Sequence, residues 1–163
     1  MAPFDERAVG TAPVVLRSAA WRLGSVGIAL AGVLLLGALA HGTEVTVYKS
    51  PTCGCCNAWI KHLEANGFAV RAHNVNDLDA YKRRHGVTPQ LAACHTALVD
   101  GYVVEGHVPA ADIKRLLAER PKVKGIAVPG MPMGSPGMEG PIKEPYSTVT
   151  FDDAGRTTIY ARH

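Results

Sequence analysis

The chain has 163 residues, a formal net charge of +3 and 47% hydrophobic residues, which suits one domain with an ordinary core plus additional segments. The charge is mild and the basic residues are scattered, so the composition argues against a nucleic-acid-binding protein. The run Lys82–Arg84 lies beside Asp77 and Asp79 in a predicted helix, and we interpret it as a solvated face.

The first forty residues have the pattern of an export signal. Arginines precede the uncharged run LGSVGIALAGVLLLGALA, which ends in the small-x-small sequence Ala38–Ala40. This pattern predicts a signal peptide over residues 1–40. The alternative is an uncleaved membrane anchor, because about 18 apolar residues can just span a bilayer. Under either interpretation the basic flank stays inside, so residues 41–163 are exported, and they are tied to the membrane only if the segment is uncleaved.

The exported part begins with alternating strand and helix patterns. EVTVYKS (44–50) and FAVRAHNV (68–75) predict two strands. Between them, apolar residues at helical spacing predict a helix that ends at Asn66–Gly67. DLDAYKRRHG (77–86) predicts a short helix with an acidic start and a basic end.

The second half continues with more strands and one further helix. TALVDGYVVEG (96–106) predicts two strands joined at Asp100–Gly101, and PAADIKRLLAERP (109–121) predicts a helix. The glycine, proline and methionine content of residues 125–145 predicts a loop, and STVTFDDAGRTTIYAR (147–162) predicts a terminal hairpin. The order β-α-β-α-β-β-α predicts an α/β, thioredoxin-like fold within a domain of residues 41–163. Helical residues assigned to the core are Trp59, Ile60, Leu63, Ile113, Leu116 and Leu117.

Four cysteines carry the chemistry that the sequence indicates. Cys53, Cys55 and Cys56 stand at the start of the first predicted helix. In a thioredoxin-like fold the loop before the third strand faces this helix start, so we expect Cys94 to lie beside the other three. The alternative for Cys94 is a buried small apolar residue, as is common for free cysteine.

A dithiol redox pair is one interpretation of these thiols. Cys53 at a helix N-terminus would have a stabilised thiolate, and Cys56 could resolve a mixed disulfide. A CxxC spacing beside a βαβ pattern is typical of oxidoreductases. The third thiol, Cys55, offers competing disulfides, for which a disulfide-exchange enzyme has no evident use. The sequence therefore leaves enzymatic activity open and favours a binding protein.

A soft metal is the other interpretation. Thiolates select copper(I), zinc or iron–sulfur clusters, and four of them can close a tetrahedral zinc site. Adjacent Cys55 and Cys56 are awkward partners on one small ion, whereas in a polynuclear copper(I) site each sulfur can bridge two ions. Candidate secondary ligands, all soft or borderline donors, are Met131, Met133, Met138, His95 and His107. The alternative for the methionines is a covering over apolar surface.

Three motifs together resemble a known family. SPTCGCCNAWIKHLEANGF, CHTALVDGYVVEGHVPAADIKRLL and GIAVPGMPMGSPGME are similar to the CopG-like family of periplasmic metal-binding proteins associated with copper resistance. The resemblance implies a thioredoxin-like fold, a periplasmic location and copper held by thiolates, which correspond here to Cys53, Cys55, Cys56 and Cys94. It leaves open storage, delivery or redox conversion of copper.

The sequence thus predicts a periplasmic copper(I)-binding protein that contributes to copper tolerance. Its expected partners are copper ions and other periplasmic copper-handling proteins, with no nucleic acid. The alternatives are a thiol-disulfide or copper oxidoreductase that uses Cys53 and Cys56, and a structural zinc domain.

Overall fold

The computed structural model describes residues 42–163, so the predicted signal or anchor segment lies outside the described residues. The elements in chain order are β1 (Glu44–Lys49), α1 (Gly54–Ala65), β2 (Ala69–Asn74), α2 (Leu78–Arg84), β3 (His95–Val99), β4 (Tyr102–Glu105), α3 (Ala110–Glu119), β5 (Gly125–Ala127), β6 (Ser147–Phe151) and β7 (Thr157–Arg162). In residues 42–163, none of the helices has both the length and the apolar character that a bilayer span requires.

The seven strands form one mixed sheet in the order β2-β1-β3-β4-β5-β6-β7. The β1–β2 and β4–β5 pairs are parallel, and the other neighbouring pairs are antiparallel. Asp100 and Gly101, with φ of +47° and +84°, form the turn between β3 and β4, as the Asp-Gly sequence predicts. The predicted order β-α-β-α-β-β-α is present over residues 44–119.

Strand β5 was not predicted from the sequence. Residues 125–127 fall in the segment assigned to a loop, but they pair with β4 on one side and with β6 on the other. At Gly125 the backbones approach so closely that a Cβ atom would lie 1.9 Å from the Val103 carbonyl oxygen. The methionine loop, defined as residues 128–146, therefore connects two strands of the same sheet.

Apolar side chains pack against both faces of the sheet. Successive residues of a strand point to opposite faces, and accordingly Val104 joins one cluster while Val103 joins the other. The larger cluster packs α1 and α3 on the sheet, and the predicted core residues Trp59, Leu63, Ile113 and Leu116 are fully buried in it. Ile60 and Leu117 are partly buried at its margin. The site described below lies at the start of α1.

Candidate metal centre

The start of helix α1 presents three cysteines to one place. Cys53 is the N-cap residue, and its Sγ accepts a hydrogen bond from the backbone N–H of Cys56 at 3.3 Å. Cys55 and Cys56 lie in the first turn, which contains no acidic residue. Unpaired N–H groups and the helix dipole favour negative charge at this end, so the local backbone stabilises thiolates.

Cys94 closes the group from a different part of the chain. It immediately precedes β3, and its Sγ lies 3.0 Å from those of Cys53 and Cys55 and 3.4 Å from that of Cys56. The four sulfur atoms, here called the thiol cluster, all lie within 4.8 Å of one another. These distances confirm the expectation that Cys94 folds back beside the CxCC sequence.

Two members of the thiol cluster are joined covalently in this structure. Cys53 and Cys56 form a disulfide, while Cys55 and Cys94 are free and half-buried. Burial, followed by the hydrogen bond and charge of Cys55, raises the pKa of the Cys94 thiol to about 12. Cys94 is therefore protonated at neutral pH. It loses this proton when a metal ion binds its sulfur or when it is oxidised to a disulfide.

Two fully buried histidines, His95 and His107, lie next to Cys94. The ring centroids of His95 and His107 are 5.1 Å apart, and the Trp59 ring lies 4.2 Å from that of His95. Burial lowers the pKa of both imidazoles, so both are neutral. Neither nitrogen of His95 has a hydrogen-bond partner, nor does Nε2 of His107. Together with Cys94 they form a second group of ligand atoms within 4.8 Å, and buried polar atoms without partners suit a metal.

The methionine loop is attached to this region through its backbone. The Nδ1–H of His107 donates a hydrogen bond of 2.7 Å to the Pro136 carbonyl oxygen. Gly137, with φ of +84°, leaves no room for a side chain, because a Cβ there would lie 2.8 Å from both the Cys55 oxygen and the Trp59 nitrogen. Met131 is 52% exposed, and Met133 and Met138 are half-buried. Metal binding by these methionines stays a prediction.

Replacing Gly137 with alanine is expected to loosen the methionine loop from α1. The variant Gly130→Ala is a matched control, because Gly130 has a φ of +70° but open space at its Cβ position. Both variants carry the strain of a positive φ, and only Gly137→Ala adds overpacking. We expect its free energy of unfolding, measured by denaturant titration, to be lower than that of Gly130→Ala by about 1–3 kcal/mol. Equal stabilities would show that the loop does not need this close contact.

A buried ion pair next to Cys94 was missed by the sequence analysis. Lys82 is only 5% exposed, so its assignment to a solvated face was wrong, whereas Arg83 and Arg84 are exposed as expected. Its ammonium group contacts the carboxylate of Glu105, which is 0% exposed. The signal available in the sequence was a glutamate at the end of the apolar run YVVE. A charged residue in such a run needs a partner when it is buried.

Comparison with known proteins places the site in context. A family model described as "Protein of unknown function, DUF411" matches residues 91–138, which include Cys94, both buried histidines and the three loop methionines. Two solved structures, "Copper resistance protein copG- Form 1" and "Copper resistance protein copG- Form 2", are each 48% identical in sequence, with a TM-score of 0.71. In each case the alignment covers 75% of this chain and 98% of the other. No curated protein matches the sequence.

Proposed function

The chain belongs to the CopG family of copper resistance proteins, and from this premise we propose that it binds copper(I) through Cys53, Cys55, Cys56 and Cys94. The observation that carries the proposal is the convergence of four cysteine sulfurs within 4.8 Å of one another. Held by thiolates, copper(I) is withdrawn from the redox chemistry that makes the free ion toxic. In this proposal copper(I) is the ion that the protein carries, and its binding contributes to copper tolerance.

The donor set fits copper(I) better than a harder ion. Sulfur is a soft ligand, and neutral imidazole is accepted by copper and zinc alike. Three of the four sulfurs come from one helical turn, a crowding that suits bridging of several copper(I) ions by shared thiolates. We therefore propose a polynuclear site. A structural zinc domain is the less favoured alternative, and elemental analysis of protein purified without chelators separates the two.

The surrounding residues supply candidate secondary ligands. His95 and His107 have unpartnered ring nitrogens next to Cys94, and their neutral state leaves lone pairs free to bind a metal. The methionine loop carries Met131, Met133 and Met138, whose thioethers suit copper(I). We propose that this loop shields the thiol cluster from solvent and supplies transient ligands.

The disulfide makes copper binding dependent on the redox state. Reduced protein offers four thiols, whereas protein with the Cys53–Cys56 disulfide offers two. Since disulfide sulfurs are poor ligands compared with thiolates, we expect the oxidised protein to bind at most about half as much copper(I) as the reduced protein. Anaerobic titration in competition with a chromophoric copper(I) chelator measures both forms. Equal capacity in the two forms would rule out Cys53 and Cys56 as ligands.

An oxidoreductase is the second candidate, and the disulfide is the observation that favours it. In this function a partner dithiol would become a disulfide while the Cys53–Cys56 disulfide accepts its two electrons and two protons. Alternatively, two copper(I) ions could each give one electron and become copper(II), while water supplies the two protons that the reduced thiols need. Substantial disulfide-reductase turnover by metal-free protein would favour this enzyme over a binding protein, and Cys53→Ser should abolish that turnover.

The proposed location is the periplasm. Residues 1–40 would act as a cleaved signal peptide or as an anchor, and residues 41–163 would form the exported metal-binding domain. Other periplasmic copper-handling proteins are the expected donors and acceptors of the ion. Fractionation of cells that produce the full chain, together with N-terminal sequencing of the product, tests both points.

A further inference from the structure

The buried Lys82–Glu105 pair connects helix α2 to strand β4. Glu105 lies on the same face of β4 as Val103, which is the face that α2 approaches, and the Lys82 ammonium group contacts its Oε1. Burying two charges costs desolvation energy that the pairing does not always recover, so a buried pair is weak grounds for stability alone. The remaining bonds of the carboxylate show what the pair holds in place.

The Glu105 carboxylate bonds to the chain on both sides of Cys94. Its Oε1 accepts the backbone N–H of Ala93 at 2.7 Å, and its Oε2 accepts the hydroxyl of Thr96 at 2.7 Å. The Lys82 ammonium group also donates to the Thr96 oxygen at 3.3 Å. One side chain therefore spans the short segment 93–96, which presents the Cys94 sulfur to the helix start.

The charges of Lys82 and Glu105 do not by themselves explain what the pair does for Cys94. The positive charge of Lys82 lowers the pKa of Cys94 and the negative charge of Glu105 raises it, while burial is the larger cause of its shift. Because the two charges oppose each other, their combined effect on the pKa of the thiol is smaller than the effect of Lys82 alone. The main contribution of the pair to the site is therefore the hydrogen bonds that Glu105 accepts from Ala93 and Thr96.

We propose that Glu105, with Lys82 as its counter-ion, is a positioning residue that holds Cys94 within reach of Cys53 and Cys55. We call this arrangement the carboxylate clamp. Its functional meaning rests on the proposed copper(I) site, because crowded thiolates bind an ion well only when their geometry is set before the ion arrives. Glu105 itself touches no sulfur, so it acts through the segment 93–96.

The clamp can be tested without copper by measuring how close two thiols are held. In the full chain with Cys53→Ser and Cys56→Ser, only Cys55 and Cys94 remain, whose sulfurs are 3.0 Å apart. At equilibrium with glutathione, these two thiols are oxidised to one disulfide while one glutathione disulfide is reduced to two glutathione molecules. The equilibrium constant is the effective concentration of one thiol at the other, and it reports on positioning.

Two charge-matched variants isolate the hydrogen-bond acceptor. Lys82→Met is combined with Glu105→Gln, which keeps a carbonyl oxygen for Ala93, or with Glu105→Leu, which keeps only the size. We expect the Gln variant to stay within about threefold of the parent and the Leu variant to lose about tenfold or more in effective concentration. An unchanged Leu variant, or a Gln variant that falls as far as the Leu variant, would overturn the clamp.

Further variants separate positioning from stability. Ile113→Val changes a fully buried core residue of α3 that is not part of the thiol cluster or the clamp, so it should lower the melting temperature and leave the effective concentration unchanged. If the Leu variant does not fold, Thr96→Val tests the other end of the clamp: we expect a loss of about threefold that Thr96→Ser restores, and no loss would overturn the proposal.

Copper(I) titration of the unmodified chain is a separate measurement. A chain that binds no copper would refute the proposed function while the thiol equilibrium still decides the clamp.

Discussion

Replacing Cys55 with serine is expected to reduce the affinity for copper(I) by more than about tenfold, or to remove at least one copper ion per chain. Even changes outside the ligand shell cost metal sites about 10–100-fold, and this change removes a proposed ligand. The Cys55 sulfur lies 3.0 Å from that of Cys94 and 3.5 Å from that of Cys53, so it directly contacts two other sulfurs of the thiol cluster. A serine hydroxyl is a hard oxygen donor that copper(I) binds poorly.

This substitution also distinguishes the two candidate functions. Cys55 is outside the Cys53–Cys56 disulfide, so a disulfide-exchange enzyme should keep its turnover in the Cys55→Ser variant. Asn57→Ser is the matched control, because Asn57 is exposed on the same helix and should not affect copper binding. Competition with a chromophoric chelator under anaerobic conditions gives the affinity. A Cys55→Ser variant that holds copper(I) as the parent does would contradict the shared-thiolate site.

Replacing Lys82 with methionine is expected to lower the free energy of unfolding by about 3 kcal/mol or more. The change leaves the Glu105 carboxylate buried without its counter-ion, and breaking one side of a buried pair is far more costly than removing both. The loss should appear as a clear decrease in melting temperature and in the midpoint of denaturant unfolding. Lys61→Met is the control, because Lys61 is exposed on α1 and pairs with no buried group in the described residues.

The double variant completes this prediction. Combining Lys82→Met with Glu105→Leu removes both charges, and an apolar pair of similar size can stabilise as well as the ions did. We expect the double variant to recover part of the stability lost by Lys82→Met, because the Ala93 N–H and the Thr96 hydroxyl lose their acceptor in Glu105→Leu. Two substitutions whose effects simply add would mean that the two side chains do not depend on each other energetically. That outcome would contradict the description of Lys82 as the counter-ion of Glu105.

Most of the fold could be predicted because its elements have clear local signals. The Asp100–Gly101 turn, the helix after the CxCC sequence and the terminal hairpin all follow from residues within a few positions. Strand β5 could not be predicted, because it is three residues long and exists only between β4 and β6. Its ladder partners come from distant parts of the chain, and the glycine-rich composition that follows it indicated a loop.

The four cysteines of the site could be predicted from the sequence, but their buried neighbours could not. The spacing of Cys53, Cys55 and Cys56 indicated their proximity directly, and the order of elements predicted the place of Cys94. The burial of His95 and His107 depends on how Trp59 of α1 and the methionine loop pack beside β3. The burial of Lys82 beside Glu105 depends on which faces of α2 and β4 meet. A basic run at the end of a helix indicates a solvated face by its local pattern. One member of that run becomes buried only because the sheet offers a carboxylate there.

The number of copper(I) ions bound at saturation tests the central claim most directly. The fully reduced full-length chain would be titrated with copper(I) under anaerobic conditions, and the metal-to-protein ratio determined at the end point. If the four sulfurs act as bridging ligands, the ratio should exceed one ion per chain and fall in each single cysteine variant. A ratio of one or less would contradict a polynuclear thiolate site.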